Sequence, residues 1–335
     1  MVLFILSCPD ILLKVIYGIM EGMKRKLKVL IVISVVLAVM IVFSLDLYYQ
    51  SAKRIRIRRE TLSSEKIDTD LDGIRIVFFS DLDYGEFMDE TRLELVKTKI
   101  EDADPDILIF GGDLFSDGVT PDQTMIDTLS TFLSDIDAPL GKFAVYGDID
   151  HSSEEVLNAV NAVYAAANVE VLNNAVVTLH NRTSKSISLI GLDSGLNGTV
   201  DVSTPYSQVS RNTYVLTVCH TPDTAADVPE DLTDYFLAGH SHGGQLYYGL
   251  GAMYNPEMAQ RYFRGKNTVN NSFVVDITNG VGTRKLDMRF GAPAEVVVYT
   301  LSSLQAEETS DAAVETEKAA ETASPASTAS ASAEQ

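Results

Sequence analysis

Tyr235-Phe236-Leu237-Ala238-Gly239-His240-Ser241-His242-Gly243-Gly244-Gln245 is the most informative segment of this 335-residue chain. Four apolar residues run straight into a glycine, two histidines separated by one serine, and two further glycines. A short apolar run bounded by glycine reads as a buried strand. Imidazoles just beyond its carboxyl end lie where α/β sheets bind ligands. The paired glycines let the backbone turn sharply and leave room for a bound group.

The same ending recurs along the chain. Residues 74–79 (IRIVFF) lead into Ser80-Asp81-Leu82-Asp83, and residues 107–110 (ILIF) into Gly111-Gly112-Asp113. Residues 143–146 (FAVY) lead into Gly147-Asp148-Ile149-Asp150-His151, and residues 214–219 (YVLTVC) into His220. Helical patterns separate the early strands: residues 89–102, with Leu93, Val96 and Ile100 on one face, and residues 121–136. Ser152 or Ser153 is placed to cap a third helix, with Glu154 and Glu155 in its first turn. Further short strands are expected at 187–190, 273–277 and 295–300. A lone Asp after a strand is an ordinary turn residue. Five strands ending in Asp or His are a different matter, and four of the chain's five histidines follow strands.

Composition narrows the partners. The chain carries 26 Lys+Arg against 47 Asp+Glu, a formal charge of −21. Residues 1–59 are net +7 and residues 302–335 net −6, so the middle stands at −22. A body that acidic repels phosphate backbones, which argues against nucleic acid as a partner. Cys8 and Cys219 are the only cysteines, too few for a disulfide scaffold or a cysteine-built zinc site.

The ends differ from the middle. Val29 to Leu45 is 17 residues without a charge, about 26 Å as a helix, the short end of what a bilayer requires. Lys26 and Lys28 suit one interface, Tyr48 and Tyr49 the other. The segment 23–49 therefore reads as a transmembrane anchor, against the alternatives of a buried core helix or a cleaved signal peptide. Residues 50–72 read as a basic juxtamembrane segment. Both flanks are basic, and the favoured orientation is the one that places the large domain outside a single-pass cell-membrane protein. Met23-Lys24-Arg25-Lys26 reads as a natural start, which makes 1–22 an upstream artefact or a second, weak apolar segment. Residues 303–335 are rich in Ala, Ser, Thr and Glu and read as a disordered tail.

Together these blocks resemble the calcineurin-like metallophosphoesterases over most of 73–302, in the form of a membrane-associated bacterial subgroup. Ser80-Asp81-Leu82-Asp83-Tyr84-Gly85 is similar to that family's Asp-x-His block, and the run from Asp104-Pro105 to Gly112-Asp113 to its Gly-Asp block. Val145-Tyr146-Gly147-Asp148-Ile149-Asp150 sits where its Gly-Asn-His block belongs. Val218-Cys219-His220-Thr221-Pro222-Asp223 resembles its lone-His block, and Gly239 to Gln245 its Gly-His-x-His block. Asn279-Gly280-Val281-Gly282-Thr283, with Pro293 and Glu295, resembles the subgroup. The resemblance implies a four-layer α/β/β/α sandwich. It also implies two divalent ions (Mn, Fe, Zn or Mg) bridged by Asp113. One ion would be held by Asp81, Asp83 and His242, the other by Asp148, His220 and His240. The implied activity is hydrolysis of a phosphomonoester or phosphodiester by metal-activated water.

Three positions depart from the family pattern: its His at 83 is Asp, its Asn at 148 is Asp, and its catalytic His at 149 is Ile. Aspartate still binds hard divalent ions through oxygen. The two extra carboxylates weaken attraction for an anionic substrate and raise the pKa of metal-bound water. Ile149 can neither ligate nor donate a proton. A general acid is worth about 10²–10⁴-fold, and His151, two residues on, is the candidate replacement, its other reading being a surface histidine beside a helix start. Two functions follow: a hydrolase of modest activity, or a non-catalytic metal-binding surface protein that binds or senses a ligand. The anchor makes lipid-linked or envelope phosphoesters the expected substrates.

Overall fold

In this computed structural model the chain divides into two units, residues 1–50 and 51–335. The structure describes residues 25–181, 185–248, 251–252 and 254–304, with the side chains at 43 and 46–50 excepted. The expectations for 1–22 and for nearly all of 303–335 lie outside the described residues.

The first unit contributes helix α1 (Arg25–Gln50). Its apolar side chains are exposed all round, among them Leu30, Ile33, Val36, Leu37, Val39 and Met40. No helix among the described residues is long and apolar enough to cross a membrane.

The second unit holds two six-stranded sheets. The first runs β1 (Arg56–Ser64), β12 (Glu295–Ser303), β2 (Arg75–Phe79), β3 (Ile107–Phe110), β4 (Lys142–Ala144), β5 (Glu170–Val171). The second runs β10 (Gly265–Val269), β11 (Phe273–Ile277), β9 (Tyr235–Ala238), β8 (Tyr214–Val218), β7 (Ser186–Gly191), β6 (Ala175–His180). Alternation explains the layering. Ile76, Phe78, Ile107 and Ile109 face the second sheet, where they meet Leu189, Leu216, Val218 and Leu237. Val77, Phe79, Leu108 and Phe110 point the other way. There they pack on α2 (Glu90–Ala103), α3 (Gln123–Asp135) and α4 (Glu154–Ala166). Strands buried on both faces must be apolar throughout, as these are. Asp89, Asp122 and Ser153 cap the three helices through their side chains, so Ser153 rather than Ser152 starts α4.

Two expectations need correction. The fourth layer is thin: the outer face of the second sheet is covered by α5 (Ser203–Tyr206), a 3-10 turn at Pro222–Ala226, and loops. The connecting segments contain Pro205, Pro222, Pro229 and many Asp, Ser and Thr residues, which oppose long helices. The first sheet also starts earlier than residue 73. Segment 50–72, read as juxtamembrane, contains β1, which pairs in parallel with the whole of β12. Its basic residues work inside the fold: Arg58 forks onto the buried Asp276 at 2.8 and 2.9 Å.

Register positions the site. Phe79 lies opposite Phe110 and Phe110 opposite Ala144 in parallel pairings, so the loops after β2, β3 and β4 leave side by side. Val218 lies opposite Leu237, which does the same for the loops after β8 and β9. The two sets meet across the sandwich, where the His240 N–H donates to Asp81 Oδ1 at 3.0 Å.

Candidate metal centre

The expected site residues come from five loops. Asp81, Asp83, Asp113, His240 and His242 all have positive φ, between 49° and 67°. Such backbone is uncommon outside glycine and is held only where the surroundings impose it. Glycines supply the clearance: a Cβ on Gly147 would collide with the Asp113 carboxylate, and one on Gly239 with Ser80. Asp150 ties two of the loops together. Its buried carboxylate accepts N–H bonds from Asp113 at 3.0 Å, Gly147 at 2.8 Å and Leu114 at 2.9 Å. Burial first, then the charge of Asp113, pushes its pKa up to about 6.

Asp113, Asp148, His220 and His240 converge, with one donor atom from each lying within 4.8 Å of the others. All four are buried. Hydrogen bonds fix the tautomers. His220 Nδ1 donates to the Gly111 carbonyl at 2.7 Å, which leaves the Nε2 lone pair 2.9 Å from Asp113 and 3.1 Å from Asp148. His240 Nε2 donates to the Glu257 carbonyl at 2.7 Å. Its Nδ1 then has no hydrogen-bond partner, although it lies 2.9 Å from Asp148 Oδ1. Imidazole nitrogens so close to carboxylate oxygens call for a proton or a cation between them. Separations of this size also match neighbouring ligands around an ion with bonds of roughly 2.0–2.2 Å. The four residues therefore fit a divalent ion.

Electrostatics agree. Burial opposes ionisation of Asp148, but hydrogen bonding to His220 and His240 carries its pKa well below the usual carboxylate range. Burial likewise opposes charge on His220, yet Asp113 holds its pKa well above the ordinary value. The pocket calls for positive charge.

Asp81, Asp83 and His242 form a second group beside the four, with Asp81 Oδ1 4.0 Å from His220 Nε2. Both Asp81 oxygens accept the His240 N–H, and Ser80 donates to Oδ2. His242 Nε2 stands 3.4 Å from Asp81 and 3.5 Å from Asp83. Burial, then the cations Arg284 and Arg289, holds His242 well below its ordinary pKa. Arg284 lies in this group: Nε donates to Asp83 Oδ1 at 3.0 Å, Nη2 to Asp113 Oδ2, and Nη1 to Tyr254 Oη at 3.0 Å. Despite that cation, burial pushes Asp83 up to about 8.

A profile of the calcineurin-like phosphoesterases matches residues 74–244. The chain belongs to that family. Among its relatives, an uncharacterized metallophosphoesterase of Bacillus subtilis, YkuE, is 27% identical over 76% of this chain and 88% of its own. The UDP-2,3-diacylglucosamine pyrophosphatase LpxG of Chlamydia trachomatis is 25% identical over 72% of this chain and 88% of its own. A solved calcineurin-like phosphoesterase, YfkN of Bacillus subtilis, overlaps 63% of this chain and 82% of its own, with 14% identity and a TM-score of 0.37.

In this member of the family, position 149 does more than lack a histidine. The Ile149 side chain is buried, and its N–H donates to Asp113 Oδ1 at 2.8 Å. His151, the candidate substitute acid, packs on Tyr146 and holds Asp193 at 2.6 Å. That hydrogen bond, donated to Asp193, raises its pKa. Sequence reading passed over Arg284, Tyr254, Asp150 and the Glu257 carbonyl. Asp150 stands in the Gly147 block and was within reach as one more acid after a strand. Arg284 had only one signal, an Arg-Lys pair after a Gly-rich turn in an acidic body.

Proposed function

We propose that this chain hydrolyses a phosphoester or phosphoanhydride bond with a divalent ion held by Asp113, Asp148, His220 and His240. The observation that carries the reading is the pair of imidazoles, each anchored by one nitrogen on a backbone carbonyl, whose other nitrogens converge on two buried carboxylates. Such an ion supplies a Lewis acid for a phosphoryl oxygen and lowers the pKa of water. The chain's own groups hold the geometry: the Gly111 and Glu257 carbonyls orient the imidazoles, and Asp150 fixes the loops after β3 and β4. Arg284 adds a fixed positive charge beside Asp113.

A relative named UDP-2,3-diacylglucosamine pyrophosphatase supports a pyrophosphate bond in a lipid-linked molecule as the substrate class. A membrane location fits that substrate. Helix α1 has 26 residues and exposes apolar side chains all round, which suits a bilayer better than water. In this reading α1 anchors the chain in the cell membrane with residues 51–304 outside. Carbonate-resistant pelleting and digestion of the domain by external protease on intact cells are expected. Release by carbonate would sink the anchor.

The activity is tested with the full chain in detergent, loaded with Mn²⁺ and offered aryl phosphomonoesters, phosphodiesters and a nucleotide-diphosphate-linked lipid. Turnover is expected, with loss in His240→Ala. Wild-type turnover no higher than that variant's would overturn the reading. One observation favours a second reading, a metal-binding member without turnover: the family's acid position is the buried Ile149. Metal retention with no hydrolysis across the panel would establish it.

A further inference from the structure

A second ion does not fit this site. The family arrangement calls for Asp113 to bridge two ions, but each of its oxygens already holds one partner, and the partner on Oδ2 is a cation. Oδ1 accepts the Ile149 N–H at 2.8 Å, and Oδ2 is shared by Arg284 and the His220 side of the site. Between Asp83 and Asp113, where the second ion would lie, stands the guanidinium of Arg284. A dication beside that fixed cation would meet strong repulsion in a buried, weakly screened setting.

Arg284 is held there by a built support. The side chain of Gln245, itself buried, grips its backbone from both sides. Oε1 accepts the Arg284 N–H at 2.8 Å, and Nε2 donates to the Arg284 carbonyl at 2.9 Å and to that of Leu286 at 2.8 Å. Buried Arg289 pins the same loop through the carbonyls of Gly282, His242 and Ala292. The Arg284 side chain is only 10% exposed, and Tyr254 receives its third bond.

We propose that Arg284 replaces one of the family's two metal ions, so that this chain holds a single divalent ion at Asp113, Asp148, His220 and His240. A guanidinium is always charged and carries five N–H donors in a rigid fork. Three of them make the contacts to Asp83, Asp113 and Tyr254, which leaves two for an oxygen of the substrate. Arg284 thereby keeps the electrostatic part of the lost ion's role and gives up its Lewis acidity. The histidine of the family pattern, whose place Asp83 takes in this chain, would offer that guanidinium no carboxylate. Asp83 and Arg284 thus work as one unit.

The inference rests on the metal site proposed above and is tested without activity. The full chain in detergent is saturated with Mn²⁺ and desalted, and bound metal is counted by mass spectrometry. Manganese resonance spectra are recorded on the same samples. One equivalent and an isolated-ion spectrum are expected for the wild type. Arg284→Ala and the uncharged, unbranched Arg284→Met should rise toward two equivalents with an exchange-coupled spectrum. Circular dichroism melting shows whether these variants fold. Should they not, single changes on the wild-type background decide: His242→Ala should keep its one equivalent, and His240→Ala should lose it. Two equivalents in the wild type overturn this inference alone and leave the hydrolase reading standing. Folded Arg284 variants that stay at one equivalent also overturn it, as does loss of the ion in His242→Ala. No metal in the wild type overturns both readings.

Discussion

The two halves of the centre are built from the same residue types by the same kind of loop, yet they have opposite characters. Around His220 and His240, backbone carbonyls take one nitrogen of each ring, and the other faces carboxylate oxygen. Around Asp83 and His242, an arginine supplies the charge instead. Sharing a fold and a motif therefore does not make two half-sites equivalent. Asp83 Oδ2 and His242 Nε2 lack hydrogen-bond partners just as His240 Nδ1 does; what differs is that a guanidinium already stands between Asp83 and Asp113.

The largest expected effect breaks the half around His220 and His240. His240→Ala should reduce phosphoester hydrolysis to background, on the order of 10³-fold or more, since losing a ligand is worse than the about 10–100-fold cost of losing a ligand's supporting partner. His242→Ala should fall by no more than about that 10–100-fold. Equal losses in the two variants, measured as kcat/KM, would erase the distinction between the halves.

Next comes the boundary between them. Ile149→His should raise kcat by about 10²-fold, the lower end of what a general acid contributes, provided the new ring reaches the leaving group. An unchanged kcat, with metal content intact, would show that a missing proton donor is not what limits turnover.

A smaller effect concerns the support of the half that holds Arg284. Gln245→Ala leaves the Arg284 N–H and two carbonyls without their partner. The expected loss is about 2–4 kcal/mol of stability, from buried groups left unsatisfied. Urea unfolding measures it, and a loss below about 0.5 kcal/mol would mean that the loop is held by Arg289 alone.

The smallest effect lies outside both halves. His151 is raised and Asp193 lowered through their mutual hydrogen bond. A raised histidine stabilises fully below its ordinary 6.5, and the effect is lost as pH climbs through its folded value. A lowered aspartate stabilises above its ordinary 3.8, and that is lost as pH falls through its folded value. The pair is therefore worth most between those two values. His151→Gln should cost about 1 kcal/mol there, reduced by partial solvent access, and less above neutrality. Parallel denaturation of wild type and variant at about pH 5.5 and about pH 9 checks it, and a constant difference would exclude the ion pair.

Much of this was legible in the chain. Apolar runs of four to six residues ending in Gly, Asp or His located β2, β3, β8 and β9 and the loops they feed, because buried strands and tight turns leave local signatures. All seven expected ligand positions arrive at one end of the sandwich. Strand β1 was hidden, since Arg56-Ile57-Arg58-Arg59 has the charge of a membrane flank; its role as a sheet edge depends on Glu295 and Asp276, more than 200 residues away. The short β10, Gly265–Val269, was likewise hidden by its polar composition.

The order of residues determined which loops carry the chemistry and which family pattern they follow, because ligand spacing and glycine placement are local properties of a chain. Only the folded arrangement decided how the two half-sites differ. Arg284 reaches Asp83 and Asp113 from about 200 and 170 positions away, a separation across which no periodicity carries information. Where a distant side chain comes to rest is settled by packing in three dimensions, and here that placement sets a fixed guanidinium beside one half-site and none within the other.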